Sequence, residues 1–148
     1  MTQLTIHFSL EELTRSDTAV RLGIDNTPSA EVLDNLQVLA EGLEKVRDLL
    51  GVYNRPVLIS SGYRCSALNK ALHGSVNSAH MYGYAADFTC PDFGNPLAIV
   101  KKIAQSTLKF DQLIQEGTWV HISFDPKMRG EVLTAHFNNG VATYTKGV

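Results

Sequence analysis

Between Ser29 and Gly51 the apolar residues Val32, Leu36, Leu39, Leu43, Val46 and Leu50 fall three or four positions apart. That period puts them on one face of a helix, which Ser29 caps and Gly51 stops. The stripe is a core face, not a source of chemistry. Ahead of it, Ser9 followed by Glu12 forms a capping box that starts a short helix through Leu10 and Leu13. A second short helix is expected over Thr18 to Leu22, with Gly23 ending it.

The pattern changes at Pro56. Val57-Leu58-Ile59-Ser60 is a short apolar run with β-branched residues, the mark of a buried strand. Ser66 to Leu72 predicts a short helix closed by Gly74, and Tyr84 to Thr89 a strand. Asn95 followed by Pro96 gives a cap and a proline at the first helical position, so a helix is expected to about Gln105. Asp111 to Gln115 and Trp119 to Phe124 read as two strands joined by a tight turn at Gly117. In the tail, Asn139-Gly140 offers the positive φ angles that a two-residue hairpin turn requires. Helices first, then strands with interspersed helices, predict an α+β fold: a small, mainly antiparallel sheet flanked by helices. Neither a repeat nor a linker divides the 148 residues, so one domain over 1–148 is expected.

Composition narrows the partners. A net charge of −2 with scattered basic residues offers no Lys/Arg patch for nucleic acid. No apolar run is long enough to cross a bilayer, and Met1 to Leu10 lacks the basic and apolar regions of a signal peptide. Two cysteines, Cys65 and Cys90, are too few for a disulfide scaffold or a thiolate metal site; reduced thiols near the core are expected, with a disulfide open only outside the cytoplasm. A monomer is expected.

The chemistry gathers in Ser78-Ala-His80-Met-Tyr-Gly83-Tyr-Ala-Ala-Asp87 and in Trp119-Val-His121-Ile-Ser123. His80 falls at a loop edge and Asp87 on the adjoining strand, where a turn at Gly83 can bring the two side chains together. Strand alternation puts Trp119, His121 and Ser123 on one face and Val120, Ile122 and Phe124 on the other. Two imidazoles and a carboxylate make a three-ligand zinc set with a fourth position for water, whose pKa the metal lowers to about 7. By spacing alone His7, His73 or His136 could replace a ligand, and His136 is the strongest rival because it too lies on an expected strand.

Ser78-x-His80-x-x-Gly83-x-Ala85-x-Asp87 followed by Trp119-x-His121 resembles the zinc signature of the D-Ala-D-Ala carboxypeptidase and L-alanyl-D-glutamate endopeptidase family, which includes phage endolysins and shares its fold with the hedgehog signalling domain. Ser61-Gly62-Tyr63-Arg64-x-x-x-Leu68-Asn69 and the opening Phe8-Ser-Leu-x-Glu-Leu13 are similar to it as well. The resemblance runs from about residue 7 to residue 124. It implies Zn2+ on His80, Asp87 and His121, with Glu116 as general base. Arg64 is implied to steady a substrate carbonyl or carboxylate, and Ser78 to bond substrate backbone or orient its loop. Many relatives carry the acid three residues before the last histidine; Thr118 holds that position here, and Glu116 lies five before.

The implied activity is hydrolysis of a peptidoglycan stem peptide, at the terminal D-alanine or between L-alanine and D-glutamate. With no signal peptide expected, the implied route to the wall is phage lysis or carriage on a phage particle. Two other readings compete. A wall- or protein-binding module would keep fold and zinc without the base, and a metal-free virion protein would make the His80, Asp87, His121 pattern accidental.

Overall fold

The structure is a computed structural model that describes residues 2–51 and 56–148. Helix α1 (Leu10–Thr14) opens on the capping box: the Glu12 amide donates to Ser9 Oγ at 3.2 Å, and the Ser9 amide to Glu12 Oε1 at 3.3 Å. Helix α2 (Asp17–Leu22) starts one residue before Thr18 because Ser16 caps it, and it ends on Gly23. Helix α3 (Ala30–Leu49) is capped by Ser29. Its stripe is the backbone of the core: Leu36, Leu39, Leu43, Val46 and Leu50 are buried, with Val32 packed at the edge. Each such buried side chain contributes about 1.5–3 kcal/mol.

Strands β1 (Leu58–Ser61), β2 (Ala85–Thr89), β3 (Gln112–Gln115), β4 (Val120–Ser123), β5 (Glu131–Asn138) and β6 (Val141–Lys146) form one sheet in the order β1-β2-β4-β3-β5-β6. Helix α4 (Ser66–Ala71) follows β1, and α5 (Pro96–Ala104), capped by Asn95 as expected, follows β2. Neighbouring strands are antiparallel except β3 and β5, which are parallel. The exception follows from chain order: β4 already occupies one edge of β3, so the chain crosses over 124–130 and joins the other. Asp111 holds that crossing, accepting from the backbone amide and guanidinium of Arg129 at 2.9–3.0 Å. Asn139 and Gly140 take φ of 53° and 79°, closing the β5–β6 hairpin.

Alternation divides the sheet into a core face and an open face. Ala86, Phe88, Leu113, Val120, Ile122 and Phe124 join α3 and α5 in the core. Helix and sheet approach closely at Gly42, where a Cβ would stand 2.4 Å from the Phe124 ring. On the other face, Asp87, His121, Ile114 and Leu133 are successive cross-strand partners in one row. No helix among the described residues is long and apolar enough to cross a membrane.

Candidate metal centre

His80 reaches this row from outside the sheet. It lies in a single 3-10 turn, Ala79–Tyr82, whose start is capped by Ser78: the His80 amide donates to Ser78 Oγ at 3.3 Å. Gly83 then takes φ of 76°, a left-handed turn that sends the chain straight into β2. A Cβ there would press within 3.1 Å of Val32. The seven-residue step from His80 to Asp87 is therefore a turn folded back over the first half of a strand, and the two side chains meet.

His80 Nε2 lies 3.2 Å and His121 Nδ1 3.0 Å from the same Asp87 oxygen, Oδ1. One donor atom from each of the three residues lies within 4.8 Å of the others. The tautomer of His80 is fixed by its surroundings. Its Nδ1 is 2.7 Å from the Gly62 carbonyl, which can only accept, so Nδ1 carries hydrogen. In the neutral ring Nε2 then turns a lone pair toward a carboxylate oxygen. Two acceptors face each other across 3.2 Å in a place where His80 is 3% exposed. With the ring neutral, that contact is repulsive unless a metal ion takes the place of the missing proton between the atoms, and the Gly62 bond is the kind of outer partner that fixes a metal-binding imidazole. The donor set fits a divalent metal.

Electrostatics agree. Burial pulls His80 below the ordinary histidine range despite the nearby Asp87, favouring the neutral ring that can ligate. Burial alone would raise Asp87, but the imidazoles of His80 and His121 outweigh it and hold the carboxyl well below its usual range. Arg64 supports the remaining oxygen: Nη2 is 3.3 Å from Asp87 Oδ2, while Nε donates to Ser61 Oγ at 3.1 Å and Nη1 to Asn69 Oδ1 at 3.4 Å. Asn69 is buried and in turn donates to the Ser75 carbonyl, which ties Arg64 to the loop leading to His80.

These groups line one cavity of about 940 Å³ on the open face of the sheet. Glu116, at the end of β3, lines it too; Thr118, in the position many relatives give to the acid, is exposed and not among the lining residues. The turn explains the placement. The Glu116 amide donates to the Trp119 carbonyl at 3.0 Å, so Glu116 pairs across from Trp119 and shares the face of His121, with Gly117 at φ 80° between. Burial raises the Glu116 carboxyl above its ordinary pKa; His121 and Arg64 pull it down and Asp87 pushes it up, so it senses the whole cluster.

The competing histidines lie elsewhere. His136 is exposed on β5 and bonds Thr145 Oγ1 at 2.8 Å, and His7 bonds Glu44 at 2.7 Å. His73 lines the cavity but stays outside the three-donor cluster. Cys90 is buried and Cys65 half-buried, and no disulfide joins them.

The model of the Peptidase M15 family matches residues 6–123. The chain belongs to the Peptidase M15 family. No match is found among curated proteins. Membership makes it a metallopeptidase, and the M15 match spans all three members of the donor cluster as well as Arg64, Ser78 and Glu116. It ends with β4, so β5 and β6 lie outside it.

Several participants escaped the sequence reading. The Gly62 carbonyl is backbone and carries no side-chain signal, although Gly62 itself stands in the Ser61-Gly62-Tyr63-Arg64 motif; in the structure a Cβ there would stand 2.3 Å from the Leu13 carbonyl. Asn69 was visible as a motif residue without a role. Phe137 and Tyr144 line the cavity of this M15 peptidase from the hairpin, and nothing in their spacing connects them with His121.

Proposed function

We propose that this protein is a zinc-dependent peptidoglycan peptidase that hydrolyses a stem-peptide bond, either as a D-Ala-D-Ala carboxypeptidase or as an L-Ala-D-Glu endopeptidase. The observation that carries the reading is the buried His80, Asp87, His121 cluster opening on a groove that also holds a non-ligating carboxylate, Glu116. Two nitrogens and one oxygen suit zinc, and three protein donors leave it an open position. When bound, the metal supplies Lewis acidity to the attacking water and to the scissile carbonyl.

The chain's residues account for the rest. Glu116 lies on the same face as His121 without joining the cluster, so it is free to accept the proton of the attacking water and pass it to the leaving amine. Its raised pKa brings it closer to that of a useful general acid. Arg64 orients Asp87 through its contact with Oδ2, and its position in the groove suits it to a developing negative charge on the substrate oxygen. Ser78 acts by shaping the turn that presents His80.

The test is digestion of purified peptidoglycan by zinc-loaded protein, with mass spectrometry of the products. Loss of a terminal alanine or release of stem peptides at the L-Ala-D-Glu bond supports the proposal and selects between its two forms. Zinc-loaded protein that binds the wall and releases no peptide would make it a binding module.

A further inference from the structure

Tyr144 on β6 pairs with Ala135 on β5, so both present side chains to the same face of the sheet. The β3–β5 register pairs Gln115 with Thr134; one step further, Glu116 stands beside Ala135. The row therefore reads Trp119, Glu116, Ala135, Tyr144. Alanine is the small member, and its methyl leaves the Tyr144 ring room to lean over β5 toward Glu116. One observation places the ring in the groove: Tyr144 lines the cavity that holds the metal cluster.

Phe137, two residues past Ala135, fixes the hairpin against the site. Its ring is 6.4 Å from that of Trp119, and a Cβ on Gly117 would lie 3.5 Å from it. The turn that carries Glu116 is thus packed under the hairpin. Phe137 and Tyr144 are nevertheless about half exposed, far more than a hairpin serving only the core would leave them. No protein group accepts the Tyr144 hydroxyl hydrogen among the described residues.

We propose that the β5–β6 hairpin, which lies outside the family match, is the specificity wall of the groove, and that Tyr144 contacts substrate there by donating its phenolic hydrogen to a peptide carbonyl beside Glu116. The direction of donation follows from the two groups. A phenol, with an ordinary pKa of about 10, is protonated at neutral pH, and a carbonyl oxygen is the acceptor an extended peptide offers. This inference rests on the peptidase reading above, because it takes the groove to hold a stem peptide.

Tyr144→Phe removes the hydroxyl and keeps the ring that packs on the hairpin. The probe is the tetrapeptide L-Ala-γ-D-Glu-diaminopimelate-D-Ala, with affinity measured by calorimetry on metal-free protein and on zinc-loaded protein carrying Glu116→Gln, so that the peptide is not cut during the titration, alongside kcat and KM on peptidoglycan fragments. The expected result is about three- to tenfold weaker binding in both metal states, the worth of one neutral hydrogen bond, with melting temperature and zinc content unchanged. Binding within experimental error of the parent in both states overturns the proposal even if the parent cuts the wall. If the parent binds the tetrapeptide and cuts nothing, the peptidase reading fails while the affinity ratio still decides the role of Tyr144. A parent that neither binds nor cuts sinks both.

Discussion

Arg64 holds Asp87 by the oxygen that the two imidazoles leave free: Nη2 is 3.3 Å from Oδ2, while His80 and His121 both approach Oδ1. One carboxylate therefore serves two masters, and each fixes the other's partner. Arg64 can do this because three of its nitrogens address three acceptors, Ser61, Asn69 and Asp87, from a side chain only 15% exposed.

For this reason Arg64→Lys is not conservative here. An ammonium keeps the charge but cannot span three acceptors held in fixed directions. Turnover should fall about 10- to 100-fold, and zinc affinity should weaken as well, since outer partners of metal ligands carry effects of that size. Folding should survive, because the hydrophobic core lies on the other face of the sheet. Near-normal turnover with undiminished zinc affinity would reduce Arg64 to a bystander.

Ligand assignment is tested by metal content. His80→Ala and His121→Ala should each abolish tight zinc binding, whereas His136→Ala, which loses only a surface bond to Thr145, should leave about one zinc per chain. Protons compete for the same imidazoles. Burial depresses the basicity of His80, so metal should be retained at neutral pH and lost only as pH falls well below the ordinary histidine value of about 6.5. Retention unchanged down to pH 4 would rule out histidine ligation.

Asp111 shares the cavity with the cluster and yet is committed elsewhere. Its carboxylate is 2% exposed and receives the Arg129 amide, Nε and Nη2. Those bonds to Arg129 lower its pKa in the folded state. A carboxylate so depressed contributes stability that is full above its unfolded pKa of about 3.9 and is lost as pH falls through the folded value. Arg129→Ala should cost about 2–3 kcal/mol at pH 7, because it leaves a buried carboxylate short of donors; the cost stays at the lower end since Arg129 itself is nearly half exposed. Thermal melts of both proteins from pH 7 to pH 2 should converge in acid. A constant difference across that range would mean that the pair is not the cause.

Much of this architecture was legible because local rules decided it. The α3 stripe, the Ser9–Glu12 box, the Asn95-Pro96 start and the Asn139-Gly140 turn each depend on residues a few positions apart. The faces of β4 followed from alternation, with Val120, Ile122 and Phe124 in the core and His121 opposite. The parallel β3–β5 pair was not legible. It depends on which edge of β3 is free once β4 has paired, a property of the whole sheet. The same holds at the site. His80, Asp87 and His121 announce themselves as residue types, but the Gly62 carbonyl that sets the His80 tautomer is backbone, 18 residues away. Tyr144 enters the groove only through two strand registers.

Glu116 separates a peptidase from a domain that merely holds metal. It lies five residues before His121, in a turn where Glu116 pairs with Trp119 and so points to the face of the cluster, while Thr118 turns outward. Glu116→Gln keeps the shape and hydrogen-bonding length of the side chain and removes its basicity. Zinc content should stay full, because Glu116 is not among the three donors. The melting temperature should hold or rise slightly, since burial already disfavours the charged form. Turnover should drop about 10²–10⁴-fold, the usual contribution of general acid–base catalysis. The pH profile supplies an independent reading. A base must be ionised to work, and burial raises the Glu116 pKa, so the acid limb of kcat/KM should lie above the ordinary glutamate value of about 4.3 and disappear in the variant. Should Glu116→Gln cut the wall peptide as fast as the parent, with the acid limb still in place, the base lies elsewhere. Asp111 would then be a poor substitute, because both of its oxygens already accept from Arg129.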